Sequence, residues 1–288
     1  MKKFFMLTVS RNSLLFYLIT IPILISSFIL FFFILPGSAG FATANTESPD
    51  DSQPAEVGGK LAIIIDDFGS GRDGVDEMMS IKEHITFAVM PFLDNTLEDA
   101  ELAHGNRYEV IVHLPMEANS GKRSWLGPHP ILAGMEADEV RQIVRDSFDS
   151  VPYAAGANIH MGSSASNDED IMSAVLDVIK EKGLYFVDSR TADRPKAKKV
   201  SMKKGVVCYE RDVFLDGQQP GSFIIDRLKK AEEIALKKGQ AVAAGHVGME
   251  GGKVTADAIN QMLPEFKKKN IKLVYVSELN EGIVLEQN

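Results

Sequence analysis

Two adjacent carboxylates and three histidines are the residues of this chain whose types and spacing could do chemistry. The run Leu61-Ala62-Ile63-Ile64-Ile65-Asp66-Asp67-Phe68-Gly69 carries bulky apolar residues straight into an Asp pair and a glycine. A short apolar run bounded by a turn signal reads as a buried strand, so the pair sits at a strand's C-terminal end. Barrels and open α/β sheets place their sites there. Side chains alternate along a strand, so one carboxylate can hold a metal while its neighbour stays free to move a proton. Of six histidines, His113, His160 and His246 each end an apolar run. Asp188 with Ser189 ends another run, and Arg211, Asp212 and Asp216 follow the next. Carboxylate and imidazole are ordinary ligands for zinc or another divalent ion, and a catalytic site leaves a position open for water. Such water becomes a nucleophile near neutral pH; a free carboxylate takes its proton and a histidine across the site protonates the leaving group.

Repeated strands and helices must position these residues. Strands are expected at 61–65, 85–90, 109–114, 156–160, 184–188, 205–209, 240–245 and 271–276, from the apolar runs there. Between some of them, apolar residues at helical spacing mark 136–148, 168–182, 226–238 and 255–269, the last with Pro264 expected to kink or shorten it. Strands alternating with helices mean βαβ units and a parallel sheet, and about eight strands argue for an α/β barrel. An open doubly wound sheet is the second reading, but Gly69-Ser70-Gly71 lacks the rest of a dinucleotide fingerprint.

The N-terminus differs from the rest. Residues 1–13 form a basic flank, and 14–35 are apolar for 22 residues, long enough to span a bilayer. The basic flank keeps that end cytoplasmic and the remainder outside, in the cell envelope. Length favours a retained anchor; Ala42-Thr43-Ala44 is the cleavage pattern a signal peptide would use. Residues 36–59 read as a polar linker and 60–288 as one domain. The whole chain carries −9, and Lys2, Lys3 and Arg11 precede any acid, so the domain is more acidic still. That excludes nucleic acid as a natural partner. The single Cys208 lies in an apolar run and excludes an internal disulfide. His84, His104 and His129 fall before a strand or in polar loops and are set aside; Trp125, in the loop 125–130, is either a loop anchor or a platform for a sugar ring.

The order of these motifs resembles the divergent polysaccharide deacetylase family, relatives of the NodB-type carbohydrate esterases. The resemblance rests on 63–69, Ile85 to Pro91, His113-Leu114-Pro115-Met116-Glu117, Asn158-Ile159-His160-Met161-Gly162-Ser163, Phe186 to Thr191, Arg211 to Asp216 and Gly245-His246. It implies a distorted (β/α) barrel acting on acetylated envelope polysaccharide or peptidoglycan with a divalent metal, zinc foremost. It implies Asp66 as base, Asp67 and His113 as ligands, and His246 as catalytic acid. The second histidine of the parent family's H-[ST]-x-x-H motif is Glu117 here; Glu117 or His160 supplies that ligand. The parent family's Arg-x-Pro motif is not recognisable at 156–163, and one of the two Asn expected before His160 is Ile159. Asn158, Asp188, Arg211, Asp212 and Trp125 are the expected substrate contacts. A non-catalytic glycan- or partner-binding module on the same barrel is the alternative.

Overall fold

The computed structural model describes residues 58–280 except 219, 249 and 250. The expected basic flank 1–13, the span 14–35, the linker up to 57 and the tail 281–288 lie outside the described residues. Among the described residues, no helix is long and apolar enough to cross a membrane.

The elements alternate strictly at first and then crowd together. In order they are β1 (Gly59–Phe68), α1 (Val75–Met79), β2 (Thr86–Val89), α2 (Thr96–Gly105), β3 (Glu109–Met116), α3 (Ala137–Ser150), β4 (Ala154–Met161), α4 (Glu169–Lys182), β5 (Tyr185–Asp188), α5 (Ala197–Lys204), β6 (Cys208–Glu210), β7 (Val213–Phe214), α6 (Gly221–Lys238), β8 (Gln240–His246), α7 (Gly252–Lys268) and β9 (Ile271–Val274). The strands lie in the order β6-β5-β4-β3-β2-β1-β8-β7, with β9 also on β1. Every pairing is parallel. β1 is shared along its length: Gly59 to Ala62 pair with β9, and Ile64 to Phe68 pair with β2. The two ends of the ladder, β6 and β7, are separated by Arg211 and Asp212 alone. The Arg211 N–H bonds the Asp188 carbonyl at 3.0 Å, and the Asp212 N–H bonds the Val242 carbonyl at 2.8 Å. One segment therefore passes from β5 to β8, and the sheet is a parallel-strand half-barrel rather than an open doubly wound sheet.

Side-chain alternation divides the core in two. Leu61, Ile63 and Ile65 face out, into a layer shared with Val140, Val175, Leu228 and Ile259 of the helices. Ala62, Ile64, Ala88, Ile111, Val187, Val242 and Ala244 face in and fill the interior. The inward rows end in polar residues at the C-terminal mouth: Ile64 is followed by Asp66, Ile111 by His113, and Ala244 by His246. Truncating Ile64 to Ala, beneath that mouth, costs about 2–5 kcal/mol.

The four expected helices form, and α7 runs past Pro264 to Lys268, so the proline does not shorten it. Helices α1, α2 and α5 were not expected. Strand β7 was also missed, because two residues carry no periodicity.

Candidate metal centre and active site

The Asp pair works because β1 loses its register. The β1–β2 ladder shifts between Ile65 and Phe68, and Asp67 adopts a left-handed φ of 69°. That conformation is costly for a residue with a side chain, so the surroundings must enforce it. They do: the Phe68 carbonyl accepts from the Met90 N–H at 2.8 Å, and the Gly69 N–H is held at 2.8 Å by the buried carboxylate of Asp99. Asp66 consequently stays on the interior face, 3% exposed, while Asp67 turns into the mouth.

Asp67 Oδ1, His113 Nε2 and His160 Nδ1 converge there. Asp67 Oδ1 lies 3.4 Å from His113 Nε2 and 3.1 Å from His160 Nδ1, and the two ring nitrogens are 3.2 Å apart. The far sides of the rings show where their protons are. Asn158 sits between Asp66 and His113, 2.7 Å from Asp66 Oδ1 and 2.6 Å from His113 Nδ1. A carboxylate only accepts, so the amide nitrogen of Asn158 must face Asp66 and its oxygen must face His113. His113 then donates through Nδ1–H, leaving Nε2 a lone pair. His160 Nε2 lies 3.1 Å from the Trp125 carbonyl, also an acceptor, so His160 donates outward and Nδ1 is the lone pair. Three acceptors thus face one another, and the buried Asp67 Oδ1 has no hydrogen-bond donor. Such a set is stable only around a positive charge. Ligating histidines whose second nitrogen donates to an amide or carbonyl oxygen are the usual arrangement at metal sites. The donor set, two imidazoles and a carboxylate, fits a divalent ion with open positions.

The site's electrostatics agree. Burial alone would raise the Asp67 carboxyl, but hydrogen bonds and positive charge from His113 and His160, whose rings take up a proton where no ion is bound, draw it well below its usual value. Burial alone would lower His113, but the charges of Asp66 and Asp67 raise it. The pocket is negative enough to hold a cation or attract a proton.

Across the mouth, His246 ends β8. Its Nδ1 is 2.8 Å from Asp216 Oδ1, and its Nε2 is 3.9 Å from Asp66 Oδ2. Phe214 of β7 packs edge-on against the ring at 5.0 Å. Burial opposes the charged imidazole, but the Asp216 hydrogen bond and the charges of Asp66, Asp216 and Asp67 raise its pKa to about 10. Asp216 also accepts from the Thr255 hydroxyl at 2.9 Å. A Cβ on Gly251 would come within 2.1 Å of Asp216 Oδ2, so the chain needs glycine to pass this carboxylate. Asp216 was visible in the sequence as a polar residue after a strand, without a role.

The remaining expected residues separate. Glu117 stands outside the three-atom cluster; its Oε2 accepts from the Ala133 N–H at 2.9 Å. Asn158 is 1% exposed with both amide atoms occupied by Asp66 and His113, so it is a positioning residue and not a substrate contact. Asp188 is buried behind the mouth, accepting from the Arg190 N–H at 2.8 Å, with burial raising its carboxyl. Asp212 lies on the seam between the ladder ends, bonded to the Val242 N–H and the Lys238 ammonium, each at 3.0 Å. Strand alternation sets Asp188 on the same row as Phe186, with its Oδ2 buried and without a hydrogen-bond partner among the described residues, and Asp212 is spent on the seam. Arg211 donates to the Ser189 carbonyl at 2.7 Å and stacks 4.9 Å over Phe214, beside His246. Trp125 is 55% exposed, and its carbonyl holds His160.

The parallel-strand α/β half-barrel matches the fold of NodB-like deacetylases. The chain belongs to the divergent polysaccharide deacetylase family, whose profile matches residues 63–280. It is 34% identical over 190 residues to the uncharacterized protein YibQ of Escherichia coli K12, covering 66% of this chain and 59% of that protein. It is 31% identical over 187 residues to an uncharacterized protein of Haemophilus influenzae, covering 65% of this chain and 66% of that one. The matches therefore span less than two thirds of either curated relative. Among solved structures, the uncharacterized protein ATU2773 of Agrobacterium tumefaciens C58 shares the fold with a TM-score of 0.72 at 20% identity, over 79% of this chain and 92% of that one.

Proposed function

We propose that this domain is a metal-dependent hydrolase that removes acetyl groups from sugars of envelope polysaccharide or peptidoglycan, on the outer side of the cytoplasmic membrane. The observation that carries the reading is the convergence of three lone pairs, from Asp67, His113 and His160, with both ring tautomers set by acceptors behind them. Those three residues would hold the ion, with zinc the natural candidate for two imidazoles and a carboxylate. Bound there, a divalent ion supplies a Lewis acid that polarises the acetyl carbonyl and acidifies water.

The chain's own groups divide the proton transfers. Asn158 pins Asp66 through Oδ1, which leaves Oδ2 directed toward His246 and able to take a proton from the attacking water. His246, protonated at neutral pH and oriented by Asp216, gives a proton to the leaving nitrogen or oxygen. The Trp125 ring, exposed beside His160, offers a face for the sugar.

The test uses the full chain purified in detergent. One divalent ion per chain and acetate release from acetylated glycan are expected. Asp66→Asn should abolish release while keeping the metal, and Asp67→Ala should lose both. A chain that binds no divalent ion and releases acetate equally with Asp66→Asn sinks the proposal. Stoichiometric metal and glycan binding without turnover assigns the domain to glycan recognition instead.

A further inference from the structure

The rim of the mouth is electrically divided. Loops 117–135 and 189–196 follow β3 and β5 and carry Lys122, Arg123, Arg190, Arg194 and Lys196, none of them in an ion pair with a described residue. The carboxylates in those loops are Glu117, spent on the Ala133 N–H, and Asp193, and the loop after β4 adds Asp168, which caps α4. On the neighbouring helix α5, by contrast, Lys199 and Lys203 both pair with Glu169, and Lys204 pairs with Asp177. The arc over β1 and β2 has the opposite sign, with Asp73, Asp94 and Glu98 against Arg72 alone.

The basic arc is also built rather than loose. Asn119 bonds Ser163 twice, N–H to hydroxyl at 2.9 Å and side chain to carbonyl at 3.0 Å. The Arg194 N–H donates to Asn167 at 3.1 Å, and the Lys196 N–H donates to the Ser166 carbonyl at 3.1 Å. The loops after β3, β4 and β5 thus form one surface. It adjoins the metal-competent cluster directly, because Trp125 lies in the turn Arg123–Leu126 and its carbonyl bonds His160. Lys122 Nζ stands 5.8 Å from the Trp125 ring centre. A cleft of about 160 Å³ beside the turn is lined by Glu117, Lys122, Arg123, Leu126 and Met161 among others. A sugar ring on Trp125 would lie beside Lys122 and next to the cluster.

We infer that this arc selects glycan carrying carboxylates, on the sugar itself or on a peptide attached to it, and seats the charged substituent on Lys122, Arg123, Arg190 and Arg194. Guanidinium groups match carboxylates in a bidentate fork, and unpaired cations at a rim steer and orient anionic ligands. The inference rests on the glycan reading of the site but not on turnover.

Binding is therefore measured with the full chain carrying Asp66→Asn, so that no acetyl group is removed during the titration. The probes are an acetylated uronate oligosaccharide, an acetylated muramyl-peptide oligomer, and the methyl esters of both. At least one acid should bind about tenfold more tightly than its ester, the effect of a single charge-assisted hydrogen bond, and which acid does so identifies where the carboxylate is carried. The preference should shrink with salt. It should vanish when Lys122, Arg123, Arg190 and Arg194 are all replaced by Ala. Replacing Lys180, Lys237, Lys267 and Lys268, exposed in the last turns of helices and so at the opposite end of the barrel, should leave it unchanged. Equal affinity for acids and esters, or a preference that survives the fourfold rim replacement, overturns the inference. Neither result bears on acetate release by the unmutated site, so the two proposals fail separately.

Discussion

Asp216 grips His246 at two points: one carboxylate oxygen meets the ring nitrogen at 2.8 Å, and the other accepts the residue's own backbone N–H at 2.7 Å. The ring can neither rotate nor shift along the strand without breaking a charge-assisted bond in a buried setting. The grip fixes which nitrogen faces Asp66 and keeps the imidazole protonated near neutrality.

That relationship predicts a pH dependence. The folded-state pKa of His246 is raised to about 10, above the ordinary value of 6.5. Its contribution to stability is therefore fully present below about pH 6.5 and is lost as pH rises through about 10. Asp216→Asn should lower the His246 pKa by about one to three units, read from the ring proton in an NMR titration. It should also flatten the loss of urea resistance between neutral pH and pH 10. A His246 pKa indifferent to Asp216 contradicts the assignment.

Asn158 should matter to metal without touching it. Asn158→Leu removes the group that fixes the His113 tautomer, and affinity for a divalent ion should fall roughly 10- to 100-fold in competition with a chelator. It also strands two buried partners, at about 1–3 kcal/mol in denaturant melts. Unaltered metal affinity with a lowered melting point would reduce Asn158 to a packing role.

Trp125 separates backbone from side chain. Its carbonyl holds His160, while its ring is exposed. Trp125→Ala should leave metal content unchanged and weaken oligosaccharide binding by roughly three- to tenfold, measured by calorimetry. Loss of metal instead would mean that the ring, not the carbonyl, sets the loop.

Cys208 should be inert. Burial raises its thiol to about 12 from 9.0. At pH 8 a thiol-reactive disulfide reagent should label it only in denaturant, because the thiolate is the reactive form. As for any group raised on folding, its stabilising contribution is present below about pH 9 and lost toward pH 12. Rapid labelling of the folded chain contradicts this burial.

Much of the site could be read along the chain because strands write it in a two-residue code. The row Ala62, Ile64, Asp66 continues from interior packing to interior chemistry, and so do the rows ending in His113 and His246. Strand ends were therefore legible as site positions. The helices α1, α2 and α5 were not, since each is short or buries few apolar residues. Strand β7 was invisible for the same reason, although its Phe214 packs on His246.

By itself, then, the sequence determined the parallel α/β architecture, the strand-end placement of Asp66, Asp67, His113, His160 and His246, and the pairing of two carboxylates with imidazoles. Local periodicity and composition suffice for that, because burial acts residue by residue. Only the tertiary structure decided between His160 and Glu117 as the third atom of the cluster, moved Asn158 from the cleft to the space behind His113, sent Asp212 to the seam, and gave Asp216 its hold on His246. Those outcomes depend on register between β3 and β4 and on one segment crossing from β5 to β8. Hydrogen-bond partners distant in sequence are set by that geometry, and no pattern along the chain encodes it.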